Sequence, residues 1–197
     1  MRRVWAALVG VILAPVRGLF RVGLRRYGRR YDYDPTYLEA MLDQAPGAFL
    51  AFSGVMMAAG YRSVAPPAAW FAAKLVGAVS EDCGPCTQLV VNMAREVGVD
   101  GRELRAVLER DADAMSPEVR AAVRFAEAIV GRTAEEDAAR DEIRALWGEA
   151  GVVDLTLALS VGRVFPMTKA GLGFARECRL VQVGATPVVV RHAQLAG

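Results

Sequence analysis

Between Pro66 and Val79 the chain reads Pro-Pro-Ala-Ala-Trp-Phe-Ala-Ala-Lys-Leu-Val-Gly-Ala-Val, a stretch that holds one charge and no alternation of apolar with polar residues. Alanine favours a helix and the proline pair favours a helix start, so the segment is predicted to be helical from Pro66-Pro67 to about Val79. A helix with no wide polar face has to be covered on every side. The rest of the chain must therefore supply several other helices to surround it, and that requirement points to an all-α fold.

The remaining punctuation agrees. Pro35 opens a predicted helix through about Gln44, and Pro46 opens another through about Gly60, whose core Phe49-Leu50-Ala51-Phe52 is expected to be buried. Asp82 is expected to cap a helix that passes Leu89 and Met93 and stops at Gly98. Leu104, Val107 and Leu108 mark one amphipathic helix, and Ser116-Pro117-Glu118 begins another that carries Val119, Val123, Ala126 and Val130. Thr133 to Glu136 starts a helix leading to Ile143, Leu146 and Trp147. Gly151 to Ala175 is apolar enough to suggest a membrane span, but Asp154, Arg163, Pro166 and Lys169 favour a broken pair of buried helices. Leu180 to Val190 has room for one short extended segment.

With 197 residues the chain can bury a single core, and 54% hydrophobic residues with a positive mean hydropathy suggest subunit interfaces as well. The net charge of +2 conceals an asymmetry, since residues 1–30 carry eight arginines and no acid, which leaves −6 for the remainder. A mostly acidic body argues against nucleic acid as a partner. The sequence thus divides into a basic N-terminal arm (1–30) and a helical domain (31–197). Val4 to Val16 is too short to span a bilayer, and the arginines after Pro15 do not form a secretory cleavage site, so the expected location is cytoplasmic. The arm suits either a helix lying on an anionic membrane surface or a helix packed on its own domain or a partner subunit.

Chemistry is expected at Cys83-Gly84-Pro85-Cys86, where the two thiols share one helix face and can close a small disulfide ring. At a helix start they meet unpaired N–H groups and the positive helix end, which favour a thiolate. Position at the helix end favours Cys83 as the more exposed nucleophile. Glu81 is the candidate general base, opposed electrostatically to the thiolate as Asp82 is. Lys74 is a candidate to stabilise a thiolate, and Gln88 and Asn92 to hydrogen-bond a bound group, although a snorkelling lysine and a solvated helix face are the readings favoured for them. Zinc needs four ligands, and only Cys178 and His192 remain, so no metal or other cofactor is expected. Cys178 reads as a space-filling thiol. A thioredoxin fold would need a strand before the motif, where this chain has the alanine-rich helix.

The order of an apolar helix, a CxxC pair opening the next helix, and then Ala94-Arg95-Glu96-Val97-Gly98-Val99 resembles the AhpD-like alkylhydroperoxidase and carboxymuconolactone decarboxylase superfamily. Pro117 to Ala128 and Gly151 to Leu157 extend the similarity over roughly Pro35 to Ala175. The resemblance implies an AhpD-like all-helical domain assembled as trimers or hexamers. It also implies an oxidoreductase or peroxidase activity of antioxidant type at Cys83 and Cys86, restored by a small thiol, a lipoyl group or a thioredoxin-like reductant. The decarboxylase branch lacks the dithiol, so the chain sides with the redox branch, in which the second cysteine attacks peroxide. That branch carries a glutamate and two histidines where this chain has Phe71, Pro85 and Val90. Their loss favours a second expectation, a non-catalytic helical oligomer attached by its arm to a membrane or partner.

Overall fold

The computed structural model describes residues 2–175 and 180–191, with side chains from residue 17 onward. Cys178 and His192 lie outside the described residues, as do the side chains of Val4 to Val16. Among the described residues the chain forms eight α-helices, one short 3-10 turn and a two-stranded hairpin, which makes it all-α. It divides into two compact units, residues 1–58 and 59–197.

The first unit consists of α1 (Arg2–Tyr31), α2 (Thr36–Gln44) and α3 (Pro46–Ala58). The helix that carries the arginines is therefore packed with the two helices that follow it. Phe20 of α1 meets Phe49 of α3 edge to face at 5.3 Å between ring centroids. Arg25 donates to Glu39 of α2 through Nε at 3.0 Å, and Arg21 pairs with Asp43. Tyr37, Leu38, Leu42 and Phe49 are buried. The rest of α3 departs from expectation, because Phe49 is its single buried residue and Leu50, Ala51, Gly54 and Met57 are exposed. Three helices cannot enclose one of their members on all sides, however apolar it is.

The second unit is built around α4 (Pro67–Ser80), which is buried without interruption from Ala69 to Val79. Around it lie α5 (Gly84–Glu96), α6 (Gly101–Glu109), α7 (Pro117–Gly131) and α8 (Glu136–Gly171). Each fully buried side chain such as Leu75, Leu104, Phe125, Ile143 or Leu155 contributes about 1.5–3 kcal/mol. The closest approach is between α4 and α8. A Cβ on Gly77 would stand 2.5 Å from the Leu159 carbonyl oxygen, and one on Gly162 would stand 2.4 Å from that of Lys74. Two backbones meet here with no side chain between them.

The break in α8 lies at Gly148, whose φ of 68° and ψ of −170° are non-helical. After it the helix continues through Arg163 and Pro166, and Asp154, Pro166 and Lys169 are buried within it. The sequence predicts a broken pair of helices within Gly151 to Ala175, but this stretch forms one continuous helix to Gly171 with Pro166 inside it; the break lies ahead of it at Gly148, where the positive φ suits glycine. By length and composition α8 is sufficient to cross a membrane, and its inner face packs on α4 and α7.

Asp154 explains how a carboxylate is tolerated in that helix. It is fully buried and accepts from the backbone N–H groups of Ser63, Val64 and Ala65 at 2.7–3.0 Å, organising the turn that leads into α4. Burial alone would raise its pKa. The three N–H donors and the charge of Arg62 outweigh that and hold it below the usual carboxylate range.

The tail forms β1 (Gln182–Val183) and β2 (Thr186–Pro187), paired antiparallel. The sequence predicts one extended segment, but Gly184 turns the chain at φ 66° and makes two. Arg191 N–H donates to the Leu108 carbonyl at 2.9 Å, and Val181, Val183 and Val188 are buried.

Replacing Gly162 with alanine forces α4 and α8 apart, and the second unit is expected to lose about 3 kcal/mol of stability in a denaturant titration. A loss below roughly 0.5 kcal/mol would show that the crossing tolerates a side chain.

Candidate functional site

The two cysteines sit where α4 ends and α5 begins. The Asp82 N–H bonds back to the Val79 carbonyl at 3.0 Å while Asp82 itself takes a left-handed φ of 50°, reversing the chain in two residues. The next residue, Cys83, is the N-cap of α5, and Pro85 occupies the first turn, where its missing N–H costs nothing. Asp82 therefore does not cap α5 as the sequence suggests. Its left-handed backbone completes the turn, and the cap passes to Cys83, whose side chain makes no capping hydrogen bond because its sulfur is bonded to another sulfur.

Cys83 and Cys86 form a disulfide with their Cα atoms 5.3 Å apart. Thr87 secures the turn by donating to the Cys83 carbonyl twice, from its N–H at 2.9 Å and its Oγ1 at 3.0 Å. Both cysteines are largely covered, at 8% and 4% exposure. Position at the helix end makes Cys83 the more exposed, but only marginally. The first turn of α5 contains no acidic residue, so the helix's free N–H groups act on the sulfurs without local opposition from within the helix.

Glu81 is two residues before Cys83, and its carboxylate accepts from Arg163 Nε of α8 at 2.6 Å. The ion pair reduces the opposition that an acid at this position offers to a neighbouring thiolate. Arg163 has no obvious signal in the sequence, where it reads as an interruption of an apolar stretch. Its side chain is 41% exposed, so the pair stands at the edge of the site and not in the core.

The other candidates are not brought to the dithiol. Lys74 is neither a surface charge nor directed at the cysteines. Its side chain is buried, and Nζ donates to the Ala59 carbonyl at 2.6 Å and lies 3.6 Å from the Trp70 ring centroid, one turn toward the start of α4. Helical side chains lean toward the N-terminus, which carries this ammonium away from Cys83 at the other end. Burial lowers its pKa to about 7.

Gln88 is buried, not solvated. Its Oε1 accepts from the Gln182 N–H at 2.6 Å, and its Nε2 donates to the Gln182 carbonyl at 3.0 Å and to Asn92 Oδ1 at 2.8 Å. The side-chain amide thus acts as a third strand beside β1 and holds the tail against α5. Phe71, Pro85 and Val90 are all buried and apolar. Among the described residues no group of three histidine, cysteine or acidic side chains is arranged to hold a metal.

Two outcomes are expected. In Gln88→Leu the Gln182 amide loses its acceptor, and its hydrogen-exchange protection falls at least tenfold, whereas unchanged protection would show that Gln88 does not hold the tail. For Lys74, the unfolded chain keeps the ordinary lysine pKa of ~10.4, so between about pH 7 and that value it binds a proton that the folded unit does not. Stability from this residue therefore rises with pH over that window. In oxidised Lys74→Met protein the gain between pH 7.5 and 9.5 should shrink by up to about 2.7 kcal/mol, read from urea midpoints. Comparison of the chain with protein-family models, with curated proteins and with solved structures finds no match.

Proposed function

We propose that the chain is a thiol–disulfide oxidoreductase of the AhpD-like type, which cycles Cys83 and Cys86 between dithiol and disulfide to reduce a peroxide or a partner disulfide. The observation that carries this reading is the dithiol closed across the first turn of α5, where backbone N–H groups favour a thiolate.

In the peroxide reaction one thiolate attacks an oxygen of ROOH, the O–O bond breaks, and the leaving alkoxide takes a proton to become ROH. The sulfur is left as a sulfenic acid. The second thiol then attacks that sulfur, an S–S bond forms and water leaves, so the peroxide gains the two electrons that the dithiol loses. Cys83 at the N-cap is the candidate attacker by position, and Cys86 is the candidate by family resemblance. Glu81, two residues before Cys83, is proposed to hold the proton in transit, with Arg163 fixing its orientation. With both sulfurs largely covered, a small oxidant or an extended lipoyl arm reaches them more readily than a folded protein does. A small thiol, a lipoyl dithiol or a thioredoxin-like protein in the cytoplasm would return two electrons and two protons.

Assembly into a homo-oligomer belongs to the same proposal. The outer face of α8 presents Val153, Leu157, Ser160, Val164 and Met167, spaced alternately by four and three residues with no charge among them, and Val153 and Met167 are half exposed. That spacing is the packing repeat of paired helices.

The test is a redox titration of the native chain in thiol buffers with alkylation of free thiols. A reversible two-electron transition between about −320 and −220 mV, abolished in Cys86→Ser, supports a working couple. Glu81→Gln should then slow peroxide consumption roughly tenfold to a hundredfold. A pair that shows no reversible transition would sink the proposal and leave a non-catalytic helical oligomer.

A further inference from the structure

The first unit presents a surface that redox chemistry at the dithiol does not use. On α3, Phe49 points inward, and the opposite side of the helix is made of Gly47, Ala48, Leu50, Ala51, Gly54 and Met57, all exposed. Met57 is 80% exposed and Leu50 40%, and no residue of this thirteen-residue helix is charged. On α1, Phe20 and Leu24 mark the inward side, and the outward side carries Leu19 and Val22, at 72% and 60% exposure. Arg26 and Arg29 follow at the positions seven residues after Leu19 and Val22, so they stand on the same side of the helix two turns on.

The acids of this unit are already engaged in part. Glu39 and Asp43 neutralise Arg25 and Arg21. Arg26 and Arg29 are exposed, and neither pairs with Glu39 or Asp43. The surface therefore offers unneutralised guanidiniums beside large apolar side chains, with no polar side chain on α3's outer face.

We infer that α1 and α3 dock the protein onto the surface of a bilayer containing anionic lipid. The apolar side chains enter the boundary between headgroups and acyl chains, and Arg26 and Arg29 meet the lipid phosphates. A second copy of the chain fits this surface less well, because burying α1 against α1 brings like charges together without acids to balance them. Docking lies parallel to the surface and needs no spanning helix. It is independent of the dithiol proposal, and neither result decides the other.

The test is co-sedimentation of the full-length chain with vesicles of phosphatidylcholine alone and of phosphatidylcholine with phosphatidylglycerol. Binding is expected to the mixed vesicles, weakening as salt rises. Neutralising Arg26 and Arg29 together to glutamine should lower the partition constant roughly thirtyfold, at about fivefold for each charge. Met57→Asp should weaken binding with the arginines intact, while Arg102→Gln, an exposed arginine of the second unit, should leave it unchanged. Equal affinity for neutral and mixed vesicles would overturn the inference. So would absence of binding, or a result in which the Arg26, Arg29 and Met57 variants alter the oligomeric state in solution while lipid binding stays as it was.

Discussion

Everything in the larger unit depends on α4 being buried on all sides, and that depends on how near α8 can come. At Gly77 and Gly162 the two helices meet backbone to backbone, closer than any side chain allows. The approach seats Asp154 under the turn at residues 63–65 and brings Arg163 up to Glu81. One crossing thus positions the start of α4, through the aspartate, and the end of α4, through the arginine. The dithiol follows that end, so the geometry of the cysteines rests on two glycines distant from them in the chain.

Three of the polar side chains buried in this unit share one solution to the cost of burial. Asp154 is satisfied by backbone N–H groups, Lys74 by a backbone carbonyl and an aromatic face, and Gln88 by both backbone groups of Gln182. None relies on an opposite charge in the core. Each fastens a segment outside the helices, the turn at 63–65, the start of the unit at Ala59 or the tail at Gln182, to a helix. A buried polar side chain used in this way locks one arrangement of the loops, since any other leaves it unpaired in a medium of low polarity. The Glu81–Arg163 pair differs in being half exposed, and it is the one that borders the candidate site.

The smaller unit follows a different balance. Arg21 and Arg25 are paired with acids of α2, Arg26 and Arg29 are exposed without pairing to those acids, and its most apolar helix buries one residue of thirteen. One side of the arm's helix packs on its own neighbours, and the proposed bilayer contact would use the other side. That exposed apolar face is what the proposed bilayer contact would cover.

Read alone, the sequence determined the helical class, the proline-led starts of α2, α3 and α4, the cap at Ser116, and the CxxC pair at a helix start. These are local matters, set by backbone conformation, hydrogen-bond capacity and residue spacing within a few positions. It also marked α4 as a helix to be surrounded. Tertiary structure alone decided that Asp82 turns the chain while Cys83 caps the helix, that Gly148 breaks α8, and that the tail folds back as a hairpin. It alone assigned Glu81 to Arg163, Lys74 to Ala59 and Gln88 to Gln182, partners that lie between 15 and 94 residues apart. It decided too that α3, as apolar as α4, remains uncovered. The reason is common to all of these. A side chain's partner, and the cover over a helix face, depend on which distant segments pack beside it, and local pattern holds no record of that choice.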